Sequence, residues 1–281
     1  MCGIFGFSGV KSNSSKLKIL ALYNESRGGH ATGIYSDRYG IVKDNVSADR
    51  FIAYYSSEFK SNNLLIGHTR FKTHGANTPS NAHPFNYDSV IGVHNGVISN
   101  YTEIASDYNT KVEVDSQAIF LAIANNPLSE ELIFPQIVGA MAIAYTKNDG
   151  ILYLYRRDNP IFIGYTKDAM YFSSIEQSLY AIDCKKVISL EEHIIYVFNS
   201  GKLIQKIEVA KPIAHATVNW TDFSNSNFLM EESPFEAKEL KKLGCTVDEV
   251  EYLIKLSLSD QLSYLDSYGY IDLDEEGAYY N

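Results

Sequence analysis

From Ile137 to Val209 the chain is a succession of short β-rich runs, at 138–146, 150–156, 161–165, 169–173, 193–199 and 202–209. They are punctuated by the turn sequences Asn148-Asp149-Gly150 and Asn199-Ser200-Gly201, which favour tight hairpins. Runs this short and this apolar predict antiparallel sheet, and a sheet with apolar faces has to be covered by further layers.

The first half of the chain supplies material for those layers. Residues 2–10 read as a strand. Ser14 to Arg27 reads as a helix, with Leu17, Leu20 and Ala21 on one face and Ser14 or Ser15 as cap. Residues 31–45 predict a hairpin turning at Asp37 to Gly40, followed by an aromatic-rich helical stretch near Phe51 to Phe59 and a buried strand from Leu64 to Arg70. A polar loop punctuated by Gly and Pro then fills residues 72–86. It is longer than a connection requires, which marks a loop with a task. Ser89 to His94 is again a strand, followed by helices over Ser99 to Asp107 and Asp115 to Asn125. Strands, helices and strands in this order predict two sheets packed face to face with helices outside, an α+β layered domain of residues 2–210.

Beyond it the pattern breaks down. Residues 211–233 read as a linker, and Pro234 to Leu243, Val247 to Leu258 and Ser259 to Leu265 have helical spacing, so residues 234–281 predict a small helical tail. The net charge of -10 is concentrated there: Trp220 to Asn281 holds 4 Lys and Arg against 14 Asp and Glu, leaving 20 against 20 in residues 1–219. A neutral body with an acidic tail lacks the basic face that nucleic acid requires. No apolar run approaches the roughly 18 residues of a membrane span and no basic-then-apolar leader opens the chain, so neither a membrane partner nor a signal peptide is expected. Cys2, Cys184 and Cys245 are odd in number and far apart. They suit neither a disulfide framework nor a zinc site and predict a reducing, cytoplasmic setting.

Cys2 has chemical promise of its own. If Met1 is removed, Cys2 carries a thiol and a free α-amine on one Cα, a nucleophile with a base that titrates near neutrality. Downstream stand GHTRFKTHG at 67–75, SNAHPF at 80–85 and VHNGVISNY at 93–101. Taken singly these have plain readings. Arg70 is a surface or ion-pairing residue, His74 or His83 a loop histidine making one hydrogen bond, Asn95-Gly96 a turn, and Asp115 a helix N-cap.

In combination, and in order, they resemble the class II glutamine amidotransferases, whose glutaminase domain opens with a cysteine nucleophile, and most closely the branch that feeds ammonia to fructose 6-phosphate. The resemblance takes in the opening CGIFGF, RGGHATGI at 27–34, Asp115, GAMAIAY at 139–145, RRDNPIFIGY at 156–165 and YFSSIEQSL at 171–179. It implies a four-layer α/β/β/α sandwich of the N-terminal-nucleophile hydrolases and hydrolysis of the glutamine side-chain amide through a thioester on Cys2. It further implies an oxyanion hole from Asn95 and Gly96, a carboxylate grip by Arg70 assisted by Thr73 and His74, and an ammonium site at Asp115. Those residue types suit glutamine, a zwitterion with a neutral amide at its far end. No metal or organic cofactor is implied, because the hard step is acyl transfer.

Phe71 and Lys72, Gly29 and His30, and Gln117 depart from the family pattern, and Lys72 has no explanation at this level. The roughly 62 residues after the body are too few for an acceptor domain, so ammonia would pass to a separate synthetase subunit; homo-oligomer formation stays open. Two alternatives remain: another γ-glutamyl amide as substrate, or a non-catalytic protein that senses glutamine.

Overall fold

A computed structural model gives the fold and describes residues 2–60, 62–72, 76–126, 129–147, 149–211, 272–273 and 279–280. The first strand, β1 (Gly3–Gly9), leads into helix α1 (Ser14–Glu25) and the hairpin β2 (Ala31–Ser36) and β3 (Gly40–Asp44). Helix α2 (Ala48–Tyr54) precedes β4 (Leu64–Arg70), and β5 (Phe85–Tyr87) pairs with the long β6 (Val90–Ile98). Helices α3 (Tyr101–Asp107), α4 (Asp115–Asn125) and the short α5 (Glu130–Ile133) follow, then β7 (Gly139–Thr146) and β8 (Ile151–Arg157). The body ends with β9 (Phe162–Tyr165), β10 (Ala169–Ser173), α6 (Glu176–Tyr180), β11 (Lys185–Ser189), β12 (Ile194–Asn199) and β13 (Lys202–Glu208).

The strands form two antiparallel sheets, ordered β11-β9-β10-β1-β4-β2-β3 and β13-β12-β8-β7-β6-β5. Three buried clusters show how the layers stack. Ile4, Ile66 and Phe172 of the first sheet meet Val93, Ala144 and Leu154 of the second in the middle. Phe5, Phe7 and Leu65, on the opposite face of the first sheet, pack against Leu17 and Leu20 of α1 and Phe51 of α2. On the far side Ile143, Tyr145 and Tyr155 pack against Ala118, Ile119 and Ala122 of α4. This is the expected four-layer α/β/β/α sandwich. Burial on both faces explains why β1, β4 and β10 carry consecutive apolar residues, such as Ile4-Phe5, Leu64-Leu65-Ile66 and Met170-Tyr171-Phe172, rather than alternating ones.

Several boundaries differ from expectation, each for a local reason. Asn13, not Ser14 or Ser15, caps α1, its Oδ1 accepting from the Lys16 N–H at 3.1 Å. Helix α2 starts and stops early, yet Phe51, Tyr55 and Phe59 still pack ring to ring at 4.7 and 6.3 Å, so aromatic spacing there marked a cluster rather than the helix extent. Strand β6 does not stop at His94. Its ladder with β7 continues through Asn95 opposite Ala142, Gly96 opposite Met141 and Ile98 opposite Gly139, so Asn95-Gly96 lies inside a strand and makes no turn. α5, α6 and β11 carry too few residues to show a period, and β11 also contains a register shift. The predicted linker after Lys211 and the three helices within 234–265 lie outside the described residues. Nearer the end, β14 (Asp272–Leu273) and β15 (Tyr279–Tyr280) pair as antiparallel strands.

Candidate active site

Cys2 stands immediately before β1, and β1 pairs with β4 so that Gly3 faces Thr69. This brings Cys2 to the end of β4, where Arg70 and Phe71 lie. The Phe71 N–H donates to Cys2 Sγ at 3.3 Å, and the thiol reaches back to the Phe71 carbonyl at 3.5 Å. Arg27 Nε donates to the Cys2 carbonyl at 2.8 Å, so backbone and sulfur are both held. Gly28 allows this: a Cβ built there would lie 2.4 Å from the Phe71 nitrogen and from the Arg70 carbonyl carbon. The segment after Arg27 therefore packs flat against the Arg70–Phe71 peptide, an approach open only to glycine. Burial pushes the Cys2 thiol above its ordinary range; the Phe71 hydrogen bond and the Arg70 charge pull it back, and Asp115 pushes it up. At neutral pH the sulfur thus rests as a thiol.

Arg70 is buried, and burial lowers its pKa, while Cys2 and Asp115 oppose the shift. Asp115, also buried, is the first residue of α4 but not its cap. Its Oδ2 accepts from the Ile98 N–H of β6 at 2.8 Å, and its Oδ1 lies 3.5 Å from Ser116 Oγ. The N-terminal amides of α4 are served instead by Gln117, whose Oε1 accepts from Val114 and Glu113, both at 2.9 Å. Gln117 therefore has a capping task, which accounts for an amide at that position. A guanidinium, a carboxylate and a thiol acting on one another at the sheet end form the charge pattern that a zwitterion with an electrophilic far end requires.

Asn95 is buried, and its side-chain Nδ2 has no hydrogen-bond partner among the described residues. The peptide groups beside it are both secured. Asn159 Nδ2 donates to the Asn95 carbonyl at 3.1 Å, and His68 Nε2, from β4 in the other sheet, donates to the His94 carbonyl at 3.1 Å. The His94 ring is fixed too, by Ser116 Oγ on Nδ1 at 2.8 Å and by the Ala140 carbonyl on Nε2 at 3.2 Å. An unsatisfied buried donor on a backbone this constrained is a preorganised hydrogen-bond donor awaiting an acceptor. Gly96 meets the same Ala140 carbonyl; a Cβ there would fall 1.8 Å from its oxygen.

Thr73 and His74 lie outside the described residues. The rest of their loop is pinned from several sides. Arg70 Nη1 and Asn81 Nδ2 each donate to the Ala76 carbonyl at 3.2 Å, and Asn81 also reaches Glu113 Oε2 at 2.7 Å. Lys43 Nζ donates to the carbonyls of Ala82 at 2.7 Å, Pro84 at 3.2 Å and Ser80 at 3.3 Å. Burial and the Arg70 charge bring the Lys43 pKa down to about 8.

His83 corrects an expectation. It is no loop histidine with one hydrogen bond: it is buried, stacks on His68 at 4.0 Å and meets the Phe85 ring at 4.5 Å, and neither ring nitrogen has a partner among the described residues. Burial drives it well below the ordinary histidine range and brings His68 down to about 3, so both rings are neutral and Arg70 supplies the positive charge. His68, His94, Ser116 and Asn159 were assigned no role from the sequence, although three of them sit in or beside the quoted motifs. Their tasks depend on contacts between elements far apart in sequence, which no local pattern carries. Among the described residues no three His, Cys, Asp or Glu side chains converge as metal ligands, and no helix is long and apolar enough to cross a membrane.

No protein-family model matches the chain. Among curated proteins it is 28% identical over 232 residues to a glutamine–fructose-6-phosphate aminotransferase of Clostridium acetobutylicum, covering 73% of this chain and 38% of that protein. A second, from Rhizobium meliloti, is 25% identical over 292 residues, covering 94% of this chain and 47% of the relative. The chain thus spans less than half the length of these relatives. Among solved structures, the glutamine phosphoribosylpyrophosphate amidotransferase of B. subtilis aligns with a TM-score of 0.65 at 17% identity, over 75% of this chain and 50% of that one. A glutamine aminotransferase class-II domain protein from Silicibacter pomeroyi aligns over 76% of this chain and all of its own length, at 13% identity and a TM-score of 0.51. By sequence the chain is thus similar to part of the glutamine–fructose-6-phosphate aminotransferases, and its fold is that of these glutamine amidotransferase structures.

Proposed function

We propose that this chain hydrolyses the side-chain amide of glutamine to glutamate and ammonia through a γ-glutamyl thioester on Cys2. The observation that carries the reading is the unpartnered Asn95 amide, buried and held from both sides. In a resting protein such a donor is a cost of roughly 1–3 kcal/mol; in an acyl-transfer site it is a ready partner for an oxyanion.

The steps follow from the groups present. With Met1 removed, the Cys2 α-amine takes the thiol proton and the sulfur bonds to the amide carbon. Negative charge moves to the amide oxygen, which accepts from Asn95 Nδ2–H and from the Gly96 backbone. The carbon–nitrogen bond then breaks and ammonia departs with the proton. Water attacks the thioester, releasing glutamate and restoring the thiol. Arg70 grips the substrate carboxylate, and the assisting role is assigned to Thr73 and His74. Asp115, with lone pairs left after its bond to Ile98, receives the ammonium. Neither metal nor cofactor enters this scheme. Residues 2–210 make up the glutaminase unit in this reading, residues 211–233 a linker and 234–281 an acidic appendage that closes with the β14–β15 pair. The ammonia is released to an acceptor, for which a separate synthetase subunit is one candidate, in a reducing cytoplasm that keeps the thiol free.

The test is the intact mass of the purified protein before and after incubation with a glutamine analogue carrying an electrophile at the amide position. Loss of Met1 and a single adduct that is absent in Cys2→Ala are expected. A chain that has lost Met1 and stays unmodified points to a different amide, and a chain that keeps Met1 and stays unmodified removes the catalytic reading.

A further inference from the structure

His30 touches the nucleophile's support at three points. Its backbone N–H donates to the Arg70 carbonyl at 3.0 Å. Its ring lies 5.0 Å from that of Phe71, centroid to centroid, and its Nδ1 accepts from the Lys72 N–H at 2.9 Å. An amide N–H can only donate, so Nδ1 carries the lone pair and the ring hydrogen is on Nε2. His30 thereby brackets Phe71 from the residue before it to the residue after it. Phe71 in turn grips Cys2 Sγ through its N–H at 3.3 Å. Phe71 and Lys72 are exposed, at the start of a loop, and His30 Nδ1 is the acceptor that holds the Lys72 amide.

We propose that His30 is a positioning residue for Cys2, its Nδ1 fixing the Phe71–Lys72 backbone where the Phe71 amide donates to the nucleophilic sulfur. The proposal rests on Cys2 being the nucleophile. It also gives Lys72 a role that its side chain does not reveal: the backbone at that position is what matters. A donor held on sulfur favours the thiolate over the thiol, so loosening it makes the thiolate harder to form. Gly28, two residues earlier, packs against the adjoining Arg70–Phe71 peptide.

The experiment is the pH profile of Cys2 alkylation by iodoacetamide, read by mass spectrometry on the N-terminal peptide, with thermal unfolding as control. His30→Phe keeps a ring against Phe71 and removes the acceptor. His30→Asn removes the ring and keeps an acceptor oxygen close to the Nδ1 position. The expected result is a profile displaced to higher pH for His30→Phe, with a rate at pH 7 lower by about three- to tenfold, the size of one net hydrogen bond. His30→Asn is expected to stay within about twofold of the parent. A His30→Phe profile that superimposes on the parent overturns the proposal, and so does an equal loss in both variants. Failure of the catalytic reading looks different: the alkylation profiles behave as stated while the parent protein does not release ammonia from glutamine.

Discussion

Replacing Asn95 by alanine separates what the residue does for catalysis from what it does for stability. In most proteins, truncating a fully buried polar side chain on a central strand costs stability. Here Nδ2 has no partner and is buried, so the folded protein already bears a desolvation penalty of about 1–3 kcal/mol for it. Asn95→Ala relieves that penalty and loses packing contacts of comparable size. The net change should lie within about 1 kcal/mol, or roughly 2–4 °C in Tm for a domain of this size. Transition-state stabilisation, by contrast, should fall by about 2.7–4 kcal/mol, a loss of roughly 10²–10³ in kcat, because one oxyanion donor is gone. KM for glutamine should hold, since the ground-state amide gains little from a donor aimed at the oxyanion. The assay is glutamate release coupled to glutamate dehydrogenase, beside urea unfolding of both proteins. A variant destabilised by more than about 2 kcal/mol would show that Nδ2 is satisfied in the resting protein. Unchanged kcat would show that the donor is not used, and either result refutes the reasoning.

Gly96→Ala is expected to fail for a different reason. Its Cβ would sit 1.8 Å from the Ala140 oxygen, so β6 and β7 must part at this point of their ladder, and circular dichroism should show a lower unfolding temperature along with lost activity. Lys43 gives a pH prediction. Its pKa falls from an ordinary 10.5 to about 8 on folding, so between those values the unfolded chain binds more protons than the folded one. From this group alone stability therefore rises as pH climbs from about 8 to 10.5. Urea midpoints at pH 7.5 and 9.5 should show a gain for the parent that Lys43→Met lacks; an equal change in both proteins contradicts the assignment.

Much of this protein is legible without coordinates. The consecutive apolar residues of β1, β4 and β10 already require cover on both faces, and the face of Ala118, Ile119 and Ala122 already requires a layer beneath α4. Cys2, Arg70 and Asp115 stand out because their chemistry fits one substrate class in one order. What a sequence determines in this way is local: periodicity, which face must be buried, and which reactive groups exist. Tertiary structure alone decided the rest. Asn95-Gly96 reads as a turn and is a strand, since the pairing of β6 with β7 outweighs local turn preference. Asp115 reads as a cap, but its carboxylate reaches Ile98, 17 residues back, while Gln117 serves the helix end. His68 supports the His94 carbonyl from the opposite sheet, and His30 reaches Lys72 across 42 residues of chain. The long-range bonds among these depend on how strands pair and layers stack, which no window of residues contains. The orphaned donor of Asn95 depends on it too, because only the packed sandwich takes water away from that amide.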